Sequence, residues 1–317
     1  MKALKIVGLG LVTLVAVYLA VGLALVYWPA DTERPPAAAP ASAEYPHTER
    51  RFVMRDGKQL FARVFGAANE ATIVLVHGFG VNSSAYEHAA SLWAEASGAR
   101  VVALDLRGHG LSDGKSGRLD RFGQYATDLA DVIGGLREEG VNKIILAGHS
   151  MGGGVVLTYA LKSEAPPDAY LLIAPLLGNN SPTAPASGGP AAKTNNLYVR
   201  TPRIVGEVML SLVGVHAFDD LPIMYLNQNP PMTYALTAVI SMAPADYGAA
   251  FRAIGVPLLL VAGSEDEVFR ASGYAGVVQQ YSSGRSLLVD GATHVSVLTS
   301  PGAVADIKSF VETVEGR

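Results

Sequence analysis

The stretch Lys143-Ile144-Ile145-Leu146-Ala147-Gly148-His149-Ser150-Met151-Gly152-Gly153-Gly154-Val155-Val156-Leu157 decides the fold. Lys143–Ala147 is an apolar run of strand length, and the residues from Gly153 to Leu161 read as a helix. Between them the chain must turn sharply. Gly148 and Gly152, two residues before and two after Ser150, let the backbone pass closely at that turn. Ser150 is then held at the end of a strand. The free N–H groups of the following helix aim at the same point and favour developing negative charge there.

Outward from this turn the pattern alternates. Arg51–Met54 and Gln59–Phe65 flank Asp56-Gly57, a hairpin signal. Strands are expected at Thr72–Val76, Val101–Leu104, Tyr170–Ala174, Leu258–Ala262 and Ser286–Val289. Helical spacing recurs over Ser84–Ser97, Phe122–Leu136 and Val304–Val314. Short apolar strands alternating with helices predict an α/β domain whose mostly parallel sheet carries helices on both faces. Ligands in such sheets bind at the carboxyl ends of strands. The loops to search are therefore 77–83, 105–118, 148–152, 175–182, 263–270 and 290–296.

Three segments carry a family resemblance: His77-Gly78-Phe79-Gly80, Asp105-Leu106-Arg107-Gly108-His109-Gly110-Leu111-Ser112, and Gly148-His149-Ser150-Met151-Gly152-Gly153. Over roughly residues 50–315 the chain resembles the α/β-hydrolase superfamily, within it the serine-hydrolase branch of monoacylglycerol lipases and lysophospholipases. The resemblance implies an eight-stranded, mostly parallel sheet with a cap insertion at about 176–255. It also implies a nucleophile, an acid and a base in the chain order Ser, acid, His. Ser150 is the implied nucleophile. Only His216 and His294 follow it; His294, just after the last strand, lies where the family carries its base, and His216 is expected to be structural. The segment 263–268 places the acid at Asp266, with Glu265 and Glu267 as rivals on spacing alone. The implied oxyanion donors are the amides of Phe79 and Met151. His77, His149, Asp105 and Arg107 are expected to brace the site. An apolar stripe through Ile204, Val205, Val208, Met209, Leu212 and Val213 is expected in the cap. It would pack inward on the core, line an acyl-chain tunnel, or form a face that dips into the bilayer.

Composition narrows the chemistry. There is no cysteine in the 317 residues, which excludes a disulfide scaffold, a thiolate metal site and a cysteine nucleophile. Lys+Arg total 24 against 28 Asp+Glu, so no electrostatic footprint for nucleic acid exists. No histidine pair has metal-ligand helical spacing and no phosphate loop is present, so neither metal nor cofactor is expected.

Ile6–Trp28 is a charge-free apolar run of 23 residues. As a helix it would be about 35 Å long, enough for a bilayer core. It predicts a retained transmembrane anchor over 1–30, with the catalytic domain on the extracytoplasmic side because Lys2 and Lys5 precede the run. A cleaved signal peptide, with Ala41-Ser42-Ala43 as its site, is the competing expectation. Residues 31–48, rich in Pro and Ala, read as a linker to a hydrolase domain over 49–317.

The function expected is hydrolysis of carboxylic esters through an acyl-enzyme by a serine hydrolase, with monoacylglycerols or lysophospholipids as the substrates that the resemblance implies. Alternatives are a prolyl-aminopeptidase-like peptidase, which would use acidic residues of the cap such as Asp219 and Asp220, an acyltransferase, and a catalytically inactive binding module.

Overall fold

The computed structural model describes residues 2–29, 45–67, 70–162, 165–184, 197–228 and 231–316, with side chains from residue 12 onward. The expected linker lies largely outside these residues, as does the Ala41-Ser42-Ala43 site.

The large sheet is built from β1 (Thr48–Val53), β2 (Gln59–Phe65), β3 (Ala71–Val76), β4 (Arg100–Leu104), β5 (Lys143–His149), β6 (Ala169–Ile173), β10 (Leu258–Gly263) and β11 (Arg285–Val289). Its spatial order is β1-β2-β4-β3-β5-β6-β10-β11. The β1–β2 and β2–β4 pairs are antiparallel and the rest are parallel. This is the doubly covered sheet expected, with the hairpin at one edge. The α/β-hydrolase architecture of the sheet thus agrees with the sequence reading.

Alternation along the strands divides the core. Val74 and Val76 of β3 pack on one side with α3 (Gln124–Glu138), α4 (Met151–Lys162), α7 (Tyr247–Arg252) and α8 (Gly273–Tyr281). Ile73 and Leu75 pack on the other with α2 (Glu87–Ser97) and α9 (Pro301–Glu315). Trp93 of α2 is fully buried there, and its indole N–H donates to the Leu298 carbonyl at 2.9 Å. Helix α8 was not foreseen: two glycines, Gly273 and Gly276, in nine residues weaken its helical signal.

Between β6 and β10 stand β7 (Leu197–Val199), α5 (Thr201–Leu212), β8 (Pro222–Leu226), β9 (Met232–Ala235) and α6 (Leu236–Ile240). Strands β7, β8 and β9 form a separate three-stranded antiparallel sheet. This sheet was not legible in the sequence, because strands of three to five residues are too short to show a period. The apolar stripe of α5 departs from the inward-packing expectation. Val205, Val208 and Leu212 are exposed, while Arg203, Gly206, Glu207 and Leu210 are buried.

The N-terminal run requires a correction. Among the described residues no helix is long and apolar enough to cross a membrane. The expected transmembrane anchor is overturned, and with it the single-pass localisation, the membrane as a partner through that helix and the outward placement of the catalytic domain. Helix α1 (Lys2–Val26) instead packs along α5. Tyr18 Oη donates to the Met209 carbonyl at 2.8 Å, and Arg203 Nε donates to the Val26 carbonyl at 3.0 Å. A Cβ at Gly206 would lie 2.6 Å from the Gly22 carbonyl oxygen, so glycine permits the close approach of the two backbones. The one-dimensional pattern records how apolar a run is, not whether protein covers one of its faces.

Next to Gly206, the Glu207 side chain is fully buried, and neither carboxyl oxygen has a hydrogen-bond partner among the described residues. Burial pushes its pKa up to about 8; Arg203 and Arg200 oppose the shift, and Asp219 and Asp220 add to it. The folded value lies above the unfolded one. Stability is therefore undiminished below about pH 4.5 and is lost as pH rises from there through about 8. Glu207→Gln keeps the shape and removes the ionisation. It is expected to stabilise the protein by about 2–3 kcal/mol at pH 7, and by little at pH 4.5. Urea unfolding at the two pH values checks this, and a gain independent of pH would contradict it.

Candidate active site

The turn between β5 and α4 has the geometry its glycines require. Ser150 sits between them at φ 55°, in the left-handed region that costs a non-glycine residue about 1 kcal/mol or more. Surrounding bonds hold it there. Its N–H donates to the Ile173 carbonyl at 3.0 Å, and its carbonyl accepts from Leu176 at 2.8 Å. A Cβ at Gly152 would lie 2.3 Å from the Val76 carbonyl oxygen, and one at Gly148 would lie 2.5 Å from that of Gly152. Any larger residue at either position would push the turn off β3 or open it.

Asp266 and His294 come together from the loops after β10 and β11. His294 Nδ1 and Asp266 Oδ2 are 2.9 Å apart, and the acid's side chain is fully buried. The other oxygen, Oδ1, accepts from the N–H groups of Val268 and Phe269, both at 2.8 Å. Burial alone would raise the Asp266 pKa. The hydrogen bond and charge of His294, with the two amides, outweigh it and hold the carboxyl below its ordinary range. The carboxylate therefore accepts a proton-bearing Nδ1, which leaves His294 Nε2 bare. Phe269 packs edge-on to the imidazole with ring centroids 5.3 Å apart.

The rival acids have other partners. Glu267 Oε2 accepts from the His294 backbone N–H at 3.0 Å, and the Glu265 N–H donates to the Ala292 carbonyl at 2.9 Å. Both tie the two loops together, and neither is bonded to the imidazole among the described contacts.

The loop after β3 is held from two sides. On one side, the Gly78 N–H donates to Tyr86 Oη at 2.8 Å, and Tyr86 Oη lies 2.6 Å from His149 Nδ1. His149 Nε2 lies 3.0 Å from the His294 carbonyl, which can only accept, so Nε2 carries the proton and Nδ1 accepts from the tyrosine. On the other side, the Gly80 N–H donates to Tyr234 Oη at 2.8 Å, and Tyr234 Oη lies 3.0 Å from His109 Nε2. His109 Nδ1 is 3.0 Å from the Arg107 carbonyl, which fixes that tautomer in the same way. Burial, aided by the neighbouring histidine in each case, lowers the pKa of His109 and of His149 to about 3, so both rings stay neutral. The amides on either side of Phe79 are thus both engaged. The Phe79 N–H lies between them.

The bracing residues behave as expected. Arg107 is buried and paired bidentately with Asp128 at 2.7 and 2.8 Å, and with Asp56 at 2.9 Å. Asp105 accepts from the N–H groups of Ser83 at 2.6 Å and Leu111 at 2.8 Å, pinning loops to the sheet edge. His77 donates from Nδ1 to the Gly78 carbonyl and accepts the Leu106 N–H on Nε2. His216 lies in the cap and pairs with Asp219 at 2.8 Å, away from Ser150. A cleft of about 580 Å³ beside that pair, lined by Leu119, Phe122 and Thr237, contains none of Ser150, Asp266 or His294. Among the described residues no cluster of His, Asp and Glu could hold a metal ion.

Tyr86, Tyr234 and Gln228 were not assigned a role by the sequence. Only Tyr86 had a signal, a helical position shortly after the His77-Gly78 loop. Tyr234 and Gln228 belong to cap segments with no pattern that ties them to that loop.

Sheet, turn and loop placement together define a hydrolase of the α/β class. The family model described as "Serine aminopeptidase, S33" matches residues 67–297, and the chain belongs to this α/β-hydrolase family. Among curated relatives, the monoacylglycerol lipase of Mycolicibacterium smegmatis is 28% identical over 67% of this chain and 75% of that protein. The monoglyceride lipase of Rattus norvegicus is 26% identical over 82% of this chain and 87% of that protein. The solved structure of Paleococcus ferrophilus monoacylglycerol lipase is similar in fold, with a TM-score of 0.53 and 22% identity over 81% of this chain and 98% of that one.

Proposed function

We propose that the protein hydrolyses carboxylic esters of the monoacylglycerol or lysophospholipid class, with Ser150 as nucleophile, His294 as base and Asp266 as the acid that orients it. The observation that carries the reading is the buried Asp266–His294 pair at 2.9 Å, whose imidazole lies 4.7 Å, centroid to centroid, from the tilted ring of His149, the residue preceding the strained Ser150. The bare Nε2 takes the hydroxyl proton as Ser150 Oγ attacks the acyl carbon. The carbonyl oxygen gains negative charge and accepts hydrogen bonds donated by the N–H groups of Phe79 and Met151. The His294 imidazolium returns its proton to the leaving alcohol, and an acyl-enzyme remains. Water, deprotonated by the same Nε2, releases the fatty acid and regenerates Ser150. The monoacylglycerol lipases among the relatives supply the substrate class.

The family's description leaves a peptidase in view. The cap acids that such a reading would use are otherwise engaged: Asp219 with His216, and Asp220 with Arg118 at 3.6 Å. The test is a series of p-nitrophenyl esters and aminoacyl p-nitroanilides offered to the full chain, together with a fluorophosphonate probe. Ester turnover and labelling of Ser150 are expected. Anilide cleavage without ester turnover would overturn the reading.

A further inference from the structure

We infer that Tyr234 and Gln228, both from the cap, are positioning residues that fix the oxyanion donor by gripping Gly80, the residue after Phe79. The inference rests on the reading of Ser150 as nucleophile and of the Phe79 N–H as one oxyanion donor.

Both backbone groups of Gly80 are held from the cap. Its N–H donates to Tyr234 Oη at 2.8 Å, and its carbonyl accepts from Gln228 Nε2 at 2.7 Å. The Tyr234 ring also stacks on Phe79, with centroids 4.4 Å apart and planes within 23° of parallel. Tyr234 is fully buried, and its hydroxyl spends its own proton on His109 Nε2. The relay therefore runs in one direction, from the Gly80 N–H to Tyr234, to His109 and to the Arg107 carbonyl. It ends on the segment that Asp128 and Asp105 lock to the sheet.

An amide in a loop can serve a developing oxyanion only if its peptide plane is fixed before the reaction. The peptide that carries the Phe79 N–H is followed by the one that carries the Gly80 N–H. Tyr86 fixes the preceding amide from the core, and the cap fixes the following one. The oxyanion hole is in this sense completed by the cap: it assembles when β9 is seated and loosens when β9 lifts. A cap that only shaped a substrate channel would need apolar groups over Phe79, and would need neither a phenol within reach of a neutral histidine nor an amide on the loop carbonyl.

The test uses the full chain with Tyr234→Phe, which keeps the stacked ring and removes the hydroxyl. On a short p-nitrophenyl ester kcat is expected to fall about 10–100-fold, since a misplaced donor costs that much, with KM within about twofold. Inhibition by an alkylboronic acid, which forms a tetrahedral anion on Ser150, weakens by a similar factor. Inhibition by the product alcohol does not change. A general loosening of the pocket would weaken both inhibitors together, and would overturn the inference. So would a folded Tyr234→Phe protein with normal kcat beside an inactive Ser150→Ala protein. An active Ser150→Ala protein would overturn the reading of the site as well. If Tyr234→Phe fails to fold, half-buried Gln228→Ala decides: a loss of about threefold to tenfold in kcat supports the inference, and unchanged kcat overturns it.

Discussion

A folded Ser150→Ala protein is expected to lose ester turnover by about a million-fold, the scale on which removal of a serine nucleophile acts in enzymes of this logic. The substitution deletes one oxygen. Its backbone bonds to Ile173 and Leu176 do not involve that oxygen, and alanine tolerates φ 55° no worse than serine does. The midpoint of thermal unfolding should therefore move by no more than a few degrees, as a change of about 1 kcal/mol or less implies. What remains is the rate that substrate binding and the two amides supply to a water molecule, about a thousandfold or more over solution. Stopped assays with high enzyme, run beside circular dichroism, measure both quantities. Undiminished turnover would remove Ser150 from the chemistry.

Asp266→Asn should lower kcat by about ten-thousand-fold with KM little changed. The reason is the fixed polarity of the Asp266 site. Oδ1 accepts two amides, from Val268 and Phe269, so an asparagine must leave its carbonyl oxygen there. Its NH₂ group then faces His294 Nδ1, where the carboxylate had accepted a proton. The imidazole answers by moving its proton to Nε2, and a protonated Nε2 cannot take the serine hydroxyl's proton. Glu267→Gln is the control. Its amide oxygen can still accept the His294 N–H, so a loss of less than about tenfold is expected. A larger loss in Glu267→Gln than in Asp266→Asn would reassign the acid. The rank of the two kcat values in one assay settles it.

Both predictions concern residues that the sequence had already brought forward, and the reason is local. A glycine two residues on either side of Ser150 is a statement about one turn, and a turn is written in consecutive residues. The eight-stranded sheet was legible for the same reason, because buried parallel strands are short apolar runs bounded by loops. Asp266 was read ahead of Glu265 and Glu267 by family resemblance, since spacing alone left the three equal. Their separation became physical only when the fold put one carboxylate against the imidazole and another against its backbone.

Where the sequence reading failed, it failed on surfaces. The run from Ile6 to Trp28 is apolar at every stage of the reading, and apolarity alone implied lipid. The structure packs α1 on α5 through Gly22 and Gly206, and no helix of the described residues meets the requirement for crossing a bilayer. On α5 the inward-packing expectation fails at Val205, Val208 and Leu212, which are turned out.

From sequence alone came the sheet and the turn that holds Ser150, because each is encoded within a few residues of its own element; Asp266, His294, Phe79 and Met151 were brought forward by the family resemblance. Only the tertiary structure decided the three-stranded cap sheet, the burial of Glu207 beside Gly206, and the grip of Tyr234 and Gln228 on Gly80. The last of these depends on contacts between segments some 150 residues apart in the chain, as between Gly80 and Tyr234, which are 154 positions apart. No local pattern of side chains records which distant hydroxyl a backbone amide will meet, since that is fixed by packing after the elements have formed.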